Sequence, residues 1–171
     1  MCIRDRMDTE EMLRAQPMDA CVLIGGCDKT VPAQVMGGIS ADVPIIQLVT
    51  GPMLTGSFRG ERVGACTDCR RFWASYRAED LNDEDIEEVN NQLVPTVGTC
   101  GVMGTASTMA ITTEALGLMV SNSACAPAVS ADRKRIAEKT GEISVKIANE
   151  NLKPSKFCLL YTSPSPRDSS P

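Results

Sequence analysis

A largely apolar run over 19–24 ends in Gly25-Gly26 and opens directly on Cys27, Asp28 and Lys29, after which a helix-forming segment begins. A short continuous apolar run bounded by glycines is the pattern of a strand covered on both faces, as in a parallel sheet. The spacing predicts a strand over 19–24 and a helix over 30–39, with Pro32 in its first turn, where a missing N–H costs little. A second apolar strand follows over 43–49, opening near Pro44. Together these make a β-α-β unit. The expected fold class is therefore α/β: a parallel or mixed sheet flanked by helices in three layers, α/β/α. In such sheets ligands bind beyond the carboxyl ends of the strands, and Cys27, Asp28 and Lys29 stand there.

The rest of the chain is consistent with that frame. A short helix is expected over 9–16, stopped by Pro17. Residues 51–64 read as loop, with Arg59, Glu61 and Arg62 exposed. A helix over 68–78 carries Phe72, Trp73 and Tyr76 on about one face. Asn82 caps the next helix, whose first turn holds Asp83, Glu84 and Asp85, favourable to the helix dipole. Its apolar positions are Ile86, Val89 and Leu93, and Pro95 ends it. Residues 96–100 are extended and lead through a glycine-rich turn into a helix over 104–116, with Ala106, Met109, Ala110 and Thr113 inward and Gly117 just past its end. Residues 121–130 are loop. Ser130 caps a last helix reaching about Asn149, with the stripe Ile136, Thr140, Ile143 and Ile147.

Composition excludes several classes of function. The net charge is -5 and no basic patch is visible, which argues against nucleic acid and anionic membrane surfaces as partners. No run approaches the roughly 18 apolar residues of a membrane span, and no apolar signal segment opens the chain. A cytoplasmic location is expected. Histidine is absent, which removes the commonest general base and zinc ligand. Eight cysteines without a secretory signal suit metal ligation, catalysis or burial better than disulfides.

Cys27 and Cys100 share a layout, each following glycine at the end of an extended segment and leading towards a helix. A helix N-terminus favours the thiolate that iron binds, and glycines let backbone approach a bulky inorganic cluster. Two buried cysteines in tight turns would look the same. Asp28 suits a hard cation such as Mg²⁺, or simply a helix start. Lys29 suits a phosphate, a base role or a free surface. The spacing around Lys29 is not that of a phosphate-binding loop. Cys66 and Cys69 form a C-x-x-C, the pattern of a redox pair or half a zinc site, but no second pair and no histidine completes a zinc set. Cys21 and Cys125 read as small residues.

Three strings then carry a resemblance: Gly25-Gly-Cys-Asp-Lys-Thr-Val-Pro-Ala33; Pro95-Thr-Val-Gly-Thr-Cys-Gly-Val-Met-Gly-Thr-Ala-Ser-Thr-Met109; and Glu114-Ala-Leu-Gly117 followed by Ala131-Asp-Arg133. In order and spacing they resemble the dihydroxy-acid dehydratase family, which includes the sugar-acid dehydratases and phosphogluconate dehydratase. The resemblance implies that Cys27 and Cys100 are two of three thiolates on an iron–sulfur cluster, 2Fe-2S or 4Fe-4S. It implies that Asp28 binds Mg²⁺ and that Lys29 does so as a carbamate. The substrate would be a small dihydroxy acid, dehydrated to a 2-oxo acid. The first cluster cysteine and an acidic Mg²⁺ ligand would lie upstream of Met7, and the base, a serine, in a C-terminal part. The segment would belong to the N-terminal domain of a larger two-domain, homo-oligomeric enzyme, a dimer or tetramer. The stretch from Gly64 to Trp73 leans towards the sugar-acid rather than the branched-chain amino-acid branch.

Residues 1–6 and 158–171 look like translated adapter sequence, so the natural segment is read as 7–157, part of a cluster- and Mg²⁺-binding domain, with no catalytic residue of its own and inactive alone. Two other readings compete. One is a non-enzymatic α/β binding module whose cysteines pack or hold zinc. The other is a C-x-x-C oxidoreductase, against which counts the absence of an expected strand before Cys66.

Overall fold

The computed structural model describes residues 2–157, apart from the side chains of Cys2 and Cys66; the tail over 158–171 lies outside the described residues. The chain enters through a polar helix, α1 (Cys2–Ala15). It is longer than the expected 9–16 because its register is set by charge, not by apolar periodicity: Glu10 pairs with Arg6 and Arg14 on successive turns. Residues 2–6 are continuous with it, and Arg6 reaches Ser40 Oγ at 3.1 Å.

Strand β1 (Cys21–Gly25), helix α2 (Cys27–Ala41) and strand β2 (Ile45–Val49) form the β-α-β unit, and β1 pairs with β2 in parallel, Cys21 opposite Ile45 through Gly25 opposite Val49. A β-carbon at Gly38 would strike Ile45 and Leu23, and one at Gly37 would strike Arg6 O and Thr9. These two glycines let α2 lie close to the sheet on one side and to α1 on the other. Helix α2 starts three residues before the expected helix. Pro32 is therefore inside it, not in its first turn, and removes the N–H that would have met the Asp28 carbonyl. Cys27, Asp28 and Lys29 are the first turn itself.

Next comes a unit with its own small core. Strands β3 (Gly56–Phe58) and β4 (Glu61–Val63) form an antiparallel hairpin where loop was expected. Arg59 and Gly60 both take positive φ, 49° and 82°, as a two-residue hairpin turn of right-handed twist requires. Helix α3 (Ala65–Arg77) follows β4 directly. A strand does precede Cys66, contrary to expectation, although in a hairpin and not in a β-α-β unit. Helix α4 (Asp83–Leu93) is capped by Asn82, which accepts from the Asp85 N–H. Phe58, Val63, Phe72, Ile86, Val89 and Leu93 form one buried cluster. Phe72 points inward while Trp73, 38% exposed, turns outward onto Tyr76, so the three aromatics divide between two faces.

Two helices complete the layers. Helix α5 (Thr105–Ala115) joins α2 over one face of the sheet, and Leu23, Val31, Val35, Ile45, Val49, Ala110 and Leu118 are buried there. Helix α6 (Ala131–Asn149), capped by Ser130, covers the other face with Ile136, Ile143 and Ile147 against Val22, Ile46 and Val120. The three-layer arrangement is as expected. The segment at Leu118 lies along the free side of β2, where its carbonyl accepts from Gln47 N at 2.7 Å. A 3₁₀ turn, Pro154–Lys156, is fixed to Asp42 through Ser155. No helix among the described residues is long and apolar enough to cross a membrane.

Two outcomes follow. Phe72→Ala is expected to cost about 3–5 kcal/mol, as aromatic-to-alanine changes in a core do, read by denaturant unfolding of the unit around Trp73, the sole tryptophan. At the start of α3, Asp68 accepts from Gly64 N at 2.8 Å. That bond first, and Arg71 second, hold its carboxyl below the usual aspartate value. A depressed folded pKa contributes stability present above the unfolded value and lost as pH falls through the folded one. Asp68→Ala should therefore lower the melting temperature at pH 7, and its difference from the parent should shrink below about pH 4.

Candidate metal and cluster site

The carboxyl ends of β1 and β2 are tied by Thr50 N donating to Gly25 O at 3.0 Å. From there the chain leaves in two directions. Past β1, Gly26 precedes the first turn of α2. Past β2, Gly51 and Pro52 meet the segment before Cys100: Thr99 N donates to Gly51 O and Met53 N to Thr99 O, both at 2.9 Å. A β-carbon at Gly26 would run into the side chains of Thr50 and Thr99. The bare backbone at Gly26 thus lets the Cys27 segment abut the Cys100 segment.

Cys27, Asp28 and Cys100 line one cavity of about 450 Å³, together with Val102, Gly104, Thr105 and Ala106. Cys27 is exposed and Cys100 half-buried. Cys27 has φ of 76°, a left-handed conformation that costs a residue with a β-carbon roughly 1–2 kcal/mol. Strain of this kind persists where surrounding structure imposes it and clusters at functional sites. Here it places a thiol at the mouth of the cavity. The Cys27 thiol donates to Asp28 Oδ1 at 3.2 Å, and Lys29 Nζ stands 2.6 Å from Asp28 Oδ2. Lys29 first, and Cys27 second, hold the Asp28 carboxyl below the usual aspartate range. Of these two cysteines, Cys27 sits at a helix N-terminus, whereas Cys100 lies five residues before α5 begins.

The donor chemistry fits a soft metal centre beside a hard cation: two thiols and a carboxylate at one opening, with an amine next to the carboxylate. The number of donors is short. Among the described residues, no three histidine, cysteine, aspartate or glutamate side chains converge to hold a metal ion. Cys69 belongs to the separate core of α3 and α4; Cys21 is half-buried in β1, where burial pushes its thiol up.

Two side chains of this region were not given a role by sequence reasoning. Glu114, near the end of α5, accepts backbone N–H groups from Asn122, Ser123 and Ala124. Arg133 is buried on α6 and donates to the carbonyls of Val49, Ser123 and Ala126. Burial pulls its guanidinium below the ordinary arginine value. The signal was in the sequence: Arg133 falls on the inward stripe of its helix, three residues before Ile136 and seven before Thr140.

Residues 3–160 match the family model described as dihydroxy-acid/6-phosphogluconate dehydratase N-terminal. The chain is 46% identical over 148 residues to the L-arabinonate dehydratase of Rhizobium leguminosarum bv. trifolii, covering 86% of this chain and 26% of that protein. It is 40% identical over 144 residues to the D-xylonate dehydratase of Caulobacter vibrioides, covering 84% and 24%. It is 37% identical over 148 residues to the dihydroxy-acid dehydratase of Methanococcus maripaludis strain C5, covering 85% and 26%. The chain thus spans about a quarter of the length of these curated relatives.

If the cavity imposes the strain at Cys27, glycine should relieve it. Cys27→Gly is expected to stabilise the chain by roughly 0.5–1 kcal/mol, whereas Cys27→Ala gives no such gain. Equal melting temperatures for the two variants would show that the left-handed conformation carries no strain.

Proposed function

The chain belongs to the dihydroxy-acid/6-phosphogluconate dehydratase family by its N-terminal-domain match over 3–160, and from that premise we propose that it is part of an iron–sulfur, Mg²⁺-dependent hydro-lyase acting on a sugar acid. The observation that carries the reading is the single cavity shared by Cys27, Asp28 and Cys100. The sugar-acid branch is supported by the identity to the arabinonate and xylonate enzymes, 46% and 40%, against 36–38% for the dihydroxy-acid dehydratases, with a 6-deoxy-6-sulfo-D-gluconate dehydratase at 36% on the other side.

In the proposed reaction a 2,3-dihydroxy carboxylic acid loses its C2 proton and its C3 hydroxyl as water, and the resulting enol tautomerises to a 2-oxo acid. Cys27 and Cys100 would hold the cluster as thiolates, and Asp28, with Lys29 as a carbamate, would hold Mg²⁺. Bound there, the two supply Lewis-acid assistance to the departing hydroxyl and a seat for the carboxylate. The residues of this chain orient those groups. In the metal-free chain the Cys27 thiol donates to Asp28 Oδ1 at 3.2 Å and Lys29 Nζ stands 2.6 Å from Oδ2, so the three groups are gathered before metal binds. As thiolate and carbamate, Cys27 and Lys29 would exchange these contacts for bonds to metal. Val102 and Ala106 give the cavity an apolar stretch of wall. The third thiolate and the base are proposed to come from sequence outside residues 7–157.

The test is an enzyme of the relatives' full length carrying this segment, reconstituted without oxygen with iron, sulfide and Mg²⁺. Formation of 2-oxo acid is assayed from a panel of sugar acids and 2,3-dihydroxy-3-methylbutyrate. The expected result is turnover of a sugar acid, at least about a hundredfold lower in Cys27→Ser and Asp28→Ala, with none from the 171-residue chain alone. Turnover undiminished in Cys27→Ser would remove the cluster assignment.

A further inference from the structure

The third of the strings that mark the family supplies no proposed ligand, in either of its parts, at Glu114 or at Arg133. In the fold they face each other across the loop 121–130. Glu114 takes the loop's amides, with Ser123 N at 3.1 Å and Ala124 N at 2.7 Å. Arg133 takes its carbonyls, Ser123 O at 2.8 Å and Ala126 O. Ser123 is therefore gripped at both ends, its N–H by a carboxylate and its C=O by a guanidinium.

The grip extends to the cysteines. Arg133 Nη1 donates to Val49 O at 2.9 Å, the last residue of β2. One residue on, Thr50 N holds Gly25 O, two residues before Cys27; two residues on, Gly51 O receives Thr99 N, one residue before Cys100. Pro52 O receives Ala128 N from the clamped loop at 2.9 Å. Gly51 has φ of 87°, and a β-carbon on it would strike the Arg133 guanidinium, 2.9 Å from Nε, and the Ala126 carbonyl. The guanidinium thus occupies the side of the strand end from which both cysteine segments depart. We propose that Glu114 and Arg133 are positioning residues that fix Cys27 and Cys100 relative to one another. Their relevance to catalysis rests on the reading of those cysteines as cluster ligands; the geometry itself does not.

A planar, permanently charged fork spreads these three carbonyl contacts over Nη1 and Nη2, a span that the single nitrogen of an ammonium lacks. The decisive experiment compares the full 171-residue chain, metal-free, with its R133K, R133M and E114Q variants. Iodoacetamide labelling is followed at each cysteine by peptide mass spectrometry, under native conditions. Cys21, in the sheet core, and Cys69, in the separate α3–α4 core, are internal references. In the variants Cys100 should label on the order of tenfold faster, the factor for losing about one net charged hydrogen bond. Cys27 should change with it, and Cys21 and Cys69 should keep the parent rates. E114Q, the mildest change, keeps the test decisive if an arginine variant unfolds. Unchanged rates at Cys27 and Cys100, or an equal rise at all four cysteines in E114Q as well, would overturn the proposal. These rates need no cluster, so failure of a full-length enzyme to bind iron would remove the proposed function and leave the clamp standing.

Discussion

The buried guanidinium of Arg133 ties the last helix to the end of β2 and to the loop 121–130. A charge taken out of water is costly unless its donors are engaged; here Nη1 and Nη2 meet the carbonyls of Val49, Ser123 and Ala126, while Nε is buried with no hydrogen-bond partner among the described residues. Those three residues belong to a strand end and to the two halves of a loop. Removing the donor would leave three carbonyls in a region where water does not easily replace it. The carboxylate of Glu114 does the complementary work on the amides of the same loop. Sheet, loop and the last helix are therefore locked by polarity as much as by the apolar contacts of Val120, Ile136 and Ile147.

The candidate site grows out of that lock. Where β1 and β2 end, the chain has two exits, and the bare backbone at Gly26 lets them touch through Thr50 and Thr99. The result is a cavity with two thiols and a carboxylate at its wall. Conformational strain at Cys27 and the loss of a helix hydrogen bond at Pro32 fall within six residues of each other in α2. Both work against helix stability, and Cys27 lines the cavity. Local rules tend to be broken at functional positions, with the cost offset by the surrounding packing; here Val31, Ala33 and Val35 supply it.

Elements with a strong apolar period were legible from the residues alone. Ile86, Val89 and Leu93 turned inward on α4, and Asn82 and Ser130 capped their helices. The hairpin of β3 and β4 was not legible, because three-residue strands give too little alternation to count, and its turn uses Arg59 in place of a more telling Asn or Asp. The true start of α1 was hidden because a salt-bridged polar helix has no apolar stripe. The start of α2 was misplaced because proline favours the first turn of a helix, and Pro32 instead stands six residues in. At the site, the candidate residues Cys27, Asp28, Lys29 and Cys100 were readable as donors, while Glu114 was readable only as a member of a motif and Arg133 as that and as a charge on the inward stripe of its helix.

What the sequence determined by itself was the β-α-β unit and the chemistry of its first loop. Those depend on neighbours within a few positions: an apolar run, two glycines, a thiol beside a carboxylate. What only the tertiary structure decided was which of these groups share a space. Thr99 meets Gly51 across 48 positions, and Arg133 meets Val49 across 84. No local periodicity encodes such contacts, since they form only after helices on both faces have buried the sheet and fixed where its strand ends point.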